Sequence, residues 1–175
     1  HVRWLASGAV RVLPLDELVK ADDRMDAVAI TFDDGFENFA TECADLLVEH
    51  ALPTTVFVVP EHVGRTNEWG GVASPGSPTL PLMSWPTLRR LAERGITLGA
   101  HTRRHRDLTR VRGAALEDEV AGCVERMMAE GGMRPSSFAY PYGAVDDTSA
   151  SVVRDVYALA CPTELRALHR HDDRA

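Results

Sequence analysis

Short apolar segments alternate with helical patterns along most of this chain, and that alternation restricts the fold more than any other feature. The predicted strands are 27–32, 54–59, 96–100, 137–140 and 157–161, and the predicted helices are 13–21, 36–50, 84–94, 114–130 and 147–156. Strands that alternate with helices favour a mostly parallel sheet with outer helices, as a barrel or an open sheet. The 175 residues correspond to one domain, 1–175.

Three short sequence strings that contain candidate functional residues lie at the ends of three of the predicted strands. TFDDG occupies residues 31–35, HTRRH occupies 101–105 and FAYPYG occupies 138–143. In a parallel sheet covered by helices, the carboxyl ends of the strands face one shared crevice. We therefore expect the three strings to converge, although they are far apart in sequence.

The first two strings carry the residue types of a metal centre. One aspartate and two histidines form a three-ligand set for a divalent cation, with a fourth position left for water. His101 and His105 are four residues apart, which places them on one face of a helical turn. Asp33 and Asp34 are adjacent, so while one of them binds the cation the other can supply a base for that water. Alternatively, the aspartates cap a helix and the histidines lie in a solvated, arginine-rich loop.

The remaining candidates are weaker. The turn after the fourth strand could aim the backbone N–H of Tyr142 at an oxyanion, or it could be a plain Pro-Gly turn. Trp69 and Trp85 could stack on a sugar ring, although single tryptophans more often serve packing. The sequence contains neither a nucleophile-elbow serine nor a glycine-rich phosphate loop, which disfavours acyl-enzyme hydrolases and nucleotide enzymes.

The charge and cysteine content restrict partners and compartment. The net charge is −7 without a basic cluster, which argues against nucleic acid and anionic membranes as partners. No apolar run approaches the ~18–20 residues of a membrane span. Three cysteines without metal-type spacing argue against a disulfide framework and favour a reducing, cytoplasmic location. A longer, secreted parent remains an alternative, and the oligomeric state is not indicated.

Taken in order, the strings TFDDG, HTRRH and FAYPYG resemble the polysaccharide deacetylase family, also called the NodB-homology domain or carbohydrate esterase family 4. The similarity extends over about 13–161 and includes the helix entry at 83–85 and the segment leading into His101. Each string alone is common, but their combination is specific. The resemblance implies a distorted, incomplete (β/α) barrel with parallel strands and outer helices.

By matching position, the resemblance makes Asp33 the general base, and Asp34, His101 and His105 the metal ligands. Tyr142 becomes the oxyanion-hole residue through its backbone N–H. The implied cofactor is a divalent metal, by default Zn²⁺, with Co²⁺, Ni²⁺ or Mn²⁺ as alternatives. The implied reaction is hydrolytic removal of an acetyl group from an N-acetylated carbohydrate or a glycosylated small molecule.

The chain departs from the family pattern at two places. Many members carry arginine where this chain has Ala139, and the late leucine-x-histidine string that supplies their general acid has no clear counterpart. His169 and His171 are weak candidates for that acid, and truncation at the C-terminus is an alternative. The departures leave open a catalytically impaired carbohydrate-binding protein. The resemblance itself also leaves open an O-acetyl sugar esterase, since some members of the family remove O-acetyl groups. An aspartate-based phosphatase is a further alternative, but such enzymes usually space their carboxylates as D-x-D.

Overall fold

The computed structural model describes residues 1–22, 24–72 and 76–163. Its strands are β1 (Arg11–Val12), β2 (Ala27–Val28), β3 (Ile30–Phe32), β4 (Thr54–Val58), β5 (Thr97–Ala100), β6 (Ser137–Ala139) and β7 (Leu159–Cys161). Its α-helices are α1 (Val2–Ala6), α2 (Leu15–Leu18), α3 (Ala44–Glu49), α4 (Trp85–Glu93), α5 (Ala114–Arg126) and α6 (Asp147–Val156). Single 3₁₀ turns at Pro60–His62, Trp69–Gly71, Leu108–Arg110 and Pro141–Gly143 follow strands or lie in loops.

Strands β3 to β7 form one parallel sheet in sequential order, and β1 pairs with β2 in a separate parallel pair. Because each strand pairs with the one that follows it, every crossover moves the chain in the same direction along the sheet. The sheet curls into a half-barrel with helices on its outer side. The predicted parallel sheet with outer helices is therefore confirmed, in its incomplete-barrel form.

The two faces of the sheet are packed differently. Val56 and Val58 of β4 belong to the main hydrophobic core, which lies between the sheet and the helices. Phe57 points to the opposite face, since successive side chains of a strand alternate, and it is also buried. A Cβ on its β5 neighbour Gly99 would lie 2.4 Å from the Phe57 ring, so glycine makes room for this aromatic side chain on the inner face.

A π-helical turn changes the register of the helix after β3. Residues Phe39–Cys43 form this turn and run directly into α3. We predicted that Phe39, Cys43, Leu46 and Leu47 share one apolar face, but Leu46 is 40% exposed. The wider π-turn rotates the later residues, so Ala44 enters the core beside Leu47, which is buried as predicted, and Leu46 turns outward.

The first predicted strand and the first predicted helix are shorter than expected. The apolar run 27–32 serves two sheets, because β2 pairs with β1 whereas β3 pairs with β4, and Ala29 separates them. The helix predicted over 13–21 is reduced to Leu15–Leu18, because the Leu13 N–H donates to the Val28 carbonyl. None of the helices in the described ranges could span a bilayer.

The long irregular stretch after β4 is tied to the ends of two strands. The Glu61 N–H donates to the Arg103 carbonyl, and the Met83 N–H donates to the Gly35 carbonyl. In its middle, the Asn67 side chain accepts from the Leu80 N–H and donates to the Pro78 carbonyl. The stretch thus bridges the TFDDG string and the HTRRH string.

Candidate metal centre

Three candidate ligand side chains meet beyond the ends of β3 and β5. The Asp34 Oδ1 atom lies 3.1 Å from the Nε2 atom of His105 and 3.5 Å from the Nε2 atom of His101. All three ligand atoms lie within 4.8 Å of one another, and both imidazoles are buried. The two strings therefore converge as the parallel topology requires.

The surroundings of Asp34 fit a bound cation. Its Oδ1 atom is buried and has no hydrogen-bond partner among the described residues. Buried carboxylate oxygens are normally paired, because an unpaired one loses its hydration without compensation. Ligand atoms about 2.1 Å from a tetrahedral zinc ion lie about 3.4 Å apart. The two Asp34–histidine distances, 3.1 Å and 3.5 Å, lie on either side of that value, so these residues fit a divalent ion.

A backbone carbonyl orients His101. Its Nδ1–H donates to the Ala139 oxygen at 2.8 Å, which directs the free electron pair of Nε2 towards Asp34. Burial lowers the pKa of His101 below its ordinary value, and the nearby His105 lowers it further, although the charges of Asp33 and Asp34 oppose the shift. The neutral imidazole that results is the form that binds metals.

Two aromatic side chains flank His105. The Trp69 ring stacks on the imidazole with centroids 4.1 Å apart and planes inclined by 21°. The Tyr142 ring meets it edge-on at 4.8 Å, and its hydroxyl lies 3.2 Å from Nδ1. An Nδ1–H donated to that hydroxyl leaves Nε2 to face Asp34. Sequence reasoning left Trp69 as a packing or sugar-stacking residue, because no local pattern links it to a histidine 36 positions later.

Four residues at the site have left-handed backbone conformations. The φ angles are 69° for Asp34, 57° for Thr102, 60° for His105 and 60° for Tyr142. Non-glycine residues rarely adopt such angles, which persist only where surrounding contacts enforce them and which cluster at functional sites. The strain coincides with the two strings and with the turn after β6, so the three segments share one constrained site.

A network of charged side chains connects the HTRRH string to α5 and to the segment that follows β4. Arg103 pairs with Glu61 at 2.8 Å and also with Asp118 of α5, and Arg104 pairs with Asp118 at 2.5 Å. Hydrogen bonds from Arg104 and Arg103 lower the pKa of the Asp118 carboxyl. The arginines that we considered as solvated neighbours of the histidines instead connect this loop to α5 and to the segment after β4.

Asp33 and Tyr142 lie at the exposed side of the site. The Asp33 side chain is exposed, and Tyr142 is 64% exposed within a tight turn. A cavity of about 190 Å³ is lined by Asp33 and, among others, by three aromatic residues, Phe32, Phe36 and Phe39. None of the three candidate ligands lines this cavity. His169 and His171, considered as proton donors, lie outside the described residues.

Comparison with known proteins identifies relatives of the chain. A family model described as Polysaccharide deacetylase matches residues 20–158. A chitooligosaccharide deacetylase from Bradyrhizobium sp. (strain ANU 289) is 28% identical over 152 residues, which cover 82% of this chain and 55% of the relative. The chain thus spans about half the length of this curated relative.

Solved structures show the same fold. A de-N-acetylase from Aggregatibacter actinomycetemcomitans superposes with a TM-score of 0.77 at 15% identity, over 99% of this chain and 79% of that one. The Streptococcus pyogenes deacetylase PplD, solved in complex with acetate, has a TM-score of 0.73 at 19% identity, over 93% of this chain and 69% of that one. At these identities the likeness concerns the fold, and it confirms the incomplete barrel.

Proposed function

Since this chain belongs to the polysaccharide deacetylase family, we propose that it is a metal-dependent hydrolase that removes an acetyl group from an N-acetylated carbohydrate or glycosylated small molecule. The observation that carries the proposal is the unpaired Asp34 oxygen, which faces Nε2 of both His101 and His105. The names of relatives that act on chitin and chitooligosaccharides support an N-acetylated sugar as substrate class.

In this proposal, Asp34, His101 and His105 hold a divalent cation, by default Zn²⁺, because two imidazoles and one carboxylate are ligands that zinc favours. When bound, the cation supplies a Lewis acid that polarises the acetyl carbonyl and makes water more acidic. Co²⁺, Ni²⁺ and Mn²⁺ remain alternatives for the same ligand set.

The proposed chemistry needs one base and one oxyanion donor from the chain. Asp33, exposed beside the ligands, takes a proton from water while the water oxygen bonds to the acetyl carbon. The backbone N–H of Tyr142 donates to the oxyanion, an interaction worth about 3 kcal/mol in the barrier. The carbonyl then re-forms as the C–N bond breaks, the leaving nitrogen takes up one proton, and Asp33 gives up the proton that it took from water, so that acetate and the free amine are the products.

The direct test is acetate release from a panel of N-acetyl and O-acetyl sugars, with metal content measured on the same samples. We expect zinc-dependent release from N-acetyl sugars and loss of both metal and turnover in His101→Ala. If acetate were released from O-acetyl sugars only, the protein would be an esterase and not an N-deacetylase. Retention of metal and turnover by His101→Ala would overturn the ligand assignment.

A carbohydrate-binding protein without catalysis is the second candidate, because Ala139 stands where many members have arginine. In this chain Ala139 contributes only a buried methyl group and the carbonyl that orients His101. This candidate requires sugar affinity without acetate release at any metal loading. Calorimetric titration with N-acetyl sugars beside the acetate assay separates the two.

The three cysteines, all unpaired, support a reducing compartment such as the cytoplasm as the place of action. Burial raises the pKa of Cys123 to about 12, so this thiol is protonated and unreactive. Free-thiol counting of protein purified without reductant tests this part of the proposal. Three free thiols are expected, and an intermolecular or intramolecular disulfide would count against it.

A further inference from the structure

Trp69 lies at the centre of a segment that connects both metal-ligand strings. The segment begins next to Arg103, whose carbonyl accepts the Glu61 N–H, and it ends at Met83, whose N–H donates to the Gly35 carbonyl. Between these anchors, bridges pair Thr66 with Pro81 and Phe36 with Leu82. The segment is therefore fixed at both ends, and its path places Trp69 in contact with His105.

The contacts of Trp69 are specific in geometry. One face of the indole stacks on His105 at 4.1 Å, and the His62 ring meets the indole edge-on at 4.8 Å. His62 is in turn fixed by a contact of 3.3 Å between its Nδ1 atom and the Thr66 carbonyl. The His62 ring, fixed by Thr66, thus holds the indole against the face of a candidate ligand.

We propose that Trp69 is a positioning residue for the metal ligand His105. This inference rests on the metal site of the proposed function. His105 has a strained backbone, with φ at 60°, and the hydrogen-bond contact that the described residues give its ring is the hydroxyl of the exposed Tyr142, 3.2 Å from Nδ1. Stacking by Trp69 fixes the plane of the imidazole and excludes water from one face, so that Nε2 stays directed at Asp34. Partners that orient a ligand typically change metal affinity by about 10- to 100-fold.

The first test measures Zn²⁺ affinity by competition with a chelating dye for the parent protein, Trp69→Ala, Trp69→Phe and Trp4→Phe. Trp4 is 57% exposed on α1 and serves as the matched control. We expect Trp69→Ala to weaken zinc binding about 10-fold or more, Trp69→Phe to recover most of the affinity, and Trp4→Phe to match the parent. Equal zinc affinity of Trp69→Ala and the parent would overturn the proposal.

A second measurement remains decisive if Trp69→Ala does not fold. The double variant Trp4→Phe/Trp85→Phe leaves Trp69 as the sole tryptophan, and Trp4→Phe/Trp69→Phe leaves Trp85. Co²⁺ quenches indole fluorescence at short range, so titration should quench the Trp69 protein strongly and the Trp85 protein weakly. Equal quenching in both proteins contradicts the stacking on His105.

Both readouts are independent of acetate release. A protein that binds zinc in a Trp69-dependent manner but releases no acetate from any sugar leaves this inference standing and removes the proposed hydrolase activity. Conversely, acetate release with zinc affinity unchanged in Trp69→Ala supports the hydrolase and removes the role of Trp69. The two failures are therefore distinguishable.

Discussion

The buried carboxylate of Glu119 accepts a hydrogen bond from the backbone N–H of Arg104, with 2.8 Å between Oε2 and the nitrogen. Its other oxygen lies 3.1 Å from the Arg104 guanidinium, and its own backbone carbonyl accepts from the Arg103 N–H. One residue of α5 thus fixes the backbone between the two histidines. A buried polar group is worth most when it satisfies backbone groups that would otherwise be unpaired.

We predict that Glu119→Ala destabilises the protein by about 2–3 kcal/mol, because it leaves the Arg104 N–H without its acceptor and removes a partner of the Arg104 guanidinium. Urea unfolding of metal-free protein measures the change. Zinc affinity should fall as well, since the histidine loop loses its support.

Two companion variants sharpen this prediction. Glu119→Gln retains a side-chain oxygen for the Arg104 N–H and should lose less stability than Glu119→Ala. Glu117→Ala, on the same helix but exposed, is the matched control and should stay within about 0.5 kcal/mol of the parent. Equal stability of Glu119→Ala and Glu117→Ala would show that the network does not hold the loop.

The sequence was sufficient for the parts of the fold and site that depend on strand order. Asp34 and His101 follow β3 and β5, and parallel topology alone brings such positions to one edge. His101 and His105 also form a recognisable pair of metal-binding side chains, four residues apart. The pattern of apolar strands therefore predicted the parallel sheet and the meeting of the candidate ligands, whereas the incomplete barrel was implied by the resemblance that the three strings carry.

What the sequence did not predict depends on long-range packing. Glu119 is one of several charged residues in the sequence of α5, and only the tertiary structure places it inward, against Arg104. The contact of Trp69 with His105 depends on the path of an irregular segment, which no periodicity specifies. The exposure of Leu46 follows from a π-turn, whose extra residue leaves no mark on the local propensities.

Removal of the metal should lower the stability of the folded protein only where the metal-binding side chains are intact. A ligand that binds only the folded state, present at 100 times its Kd, adds about 2.7 kcal/mol to the free energy of unfolding. We expect Zn²⁺ to raise the thermal midpoint of chelator-treated parent protein and to leave that of His101→Ala unchanged. Differential scanning fluorimetry measures both. A comparable rise for His101→Ala would mean that zinc binds elsewhere.

In the turn that carries Tyr142, the following residue, Gly143, should not be replaceable by a residue with a side chain without loss of stability. Gly143 has φ at 67°, and a Cβ there would lie 1.7 Å from Oγ1 and 2.6 Å from Cβ of Thr163. Gly64 has φ at 75°, but no atom of the described residues lies within 4 Å of the position that its Cβ would take. Both alanine variants bear the cost of the left-handed backbone, about 1–2 kcal/mol, but only Gly143→Ala also bears the clash.

We therefore expect Gly143→Ala to be less stable than Gly64→Ala by about 1–3 kcal/mol in urea unfolding. Gly143→Ala should also lower acetate release, because the turn that presents the Tyr142 N–H is displaced. A double variant with Thr163→Ala tests the cause, since it shortens the obstructing side chain. Equal destabilisation by the two single variants would assign the whole effect to the backbone angle.

The residue that caps the N-terminus of α6 should make the stability of the protein depend on pH in the acidic range. Asp146 caps this helix by accepting from the Ser149 N–H at 2.8 Å, and it pairs with Arg112. The bond from the Ser149 backbone, followed by the Ser149 hydroxyl and Arg112, lowers the pKa of the Asp146 carboxyl below its ordinary value of 3.8. Because the pKa is lower in the folded state than in the unfolded state, the ionised Asp146 carboxyl adds to the free energy of unfolding. This stabilisation is complete at pH values above the unfolded-state pKa and is lost as the pH falls through the folded-state pKa.

Asparagine also caps helices well but has no charge to lose. We therefore expect Asp146→Asn to be less stable than the parent at pH 6, where Asp146 is ionised and faces Arg112, and the difference to shrink as pH falls below 3.8 and the parent carboxyl takes up its proton. Thermal midpoints recorded at pH 6, 4 and 2 in the presence of chelator, so that metal release does not contribute, measure the difference. A gap between the two proteins that stays constant over this range would contradict the lowered pKa and assign the capping to geometry alone.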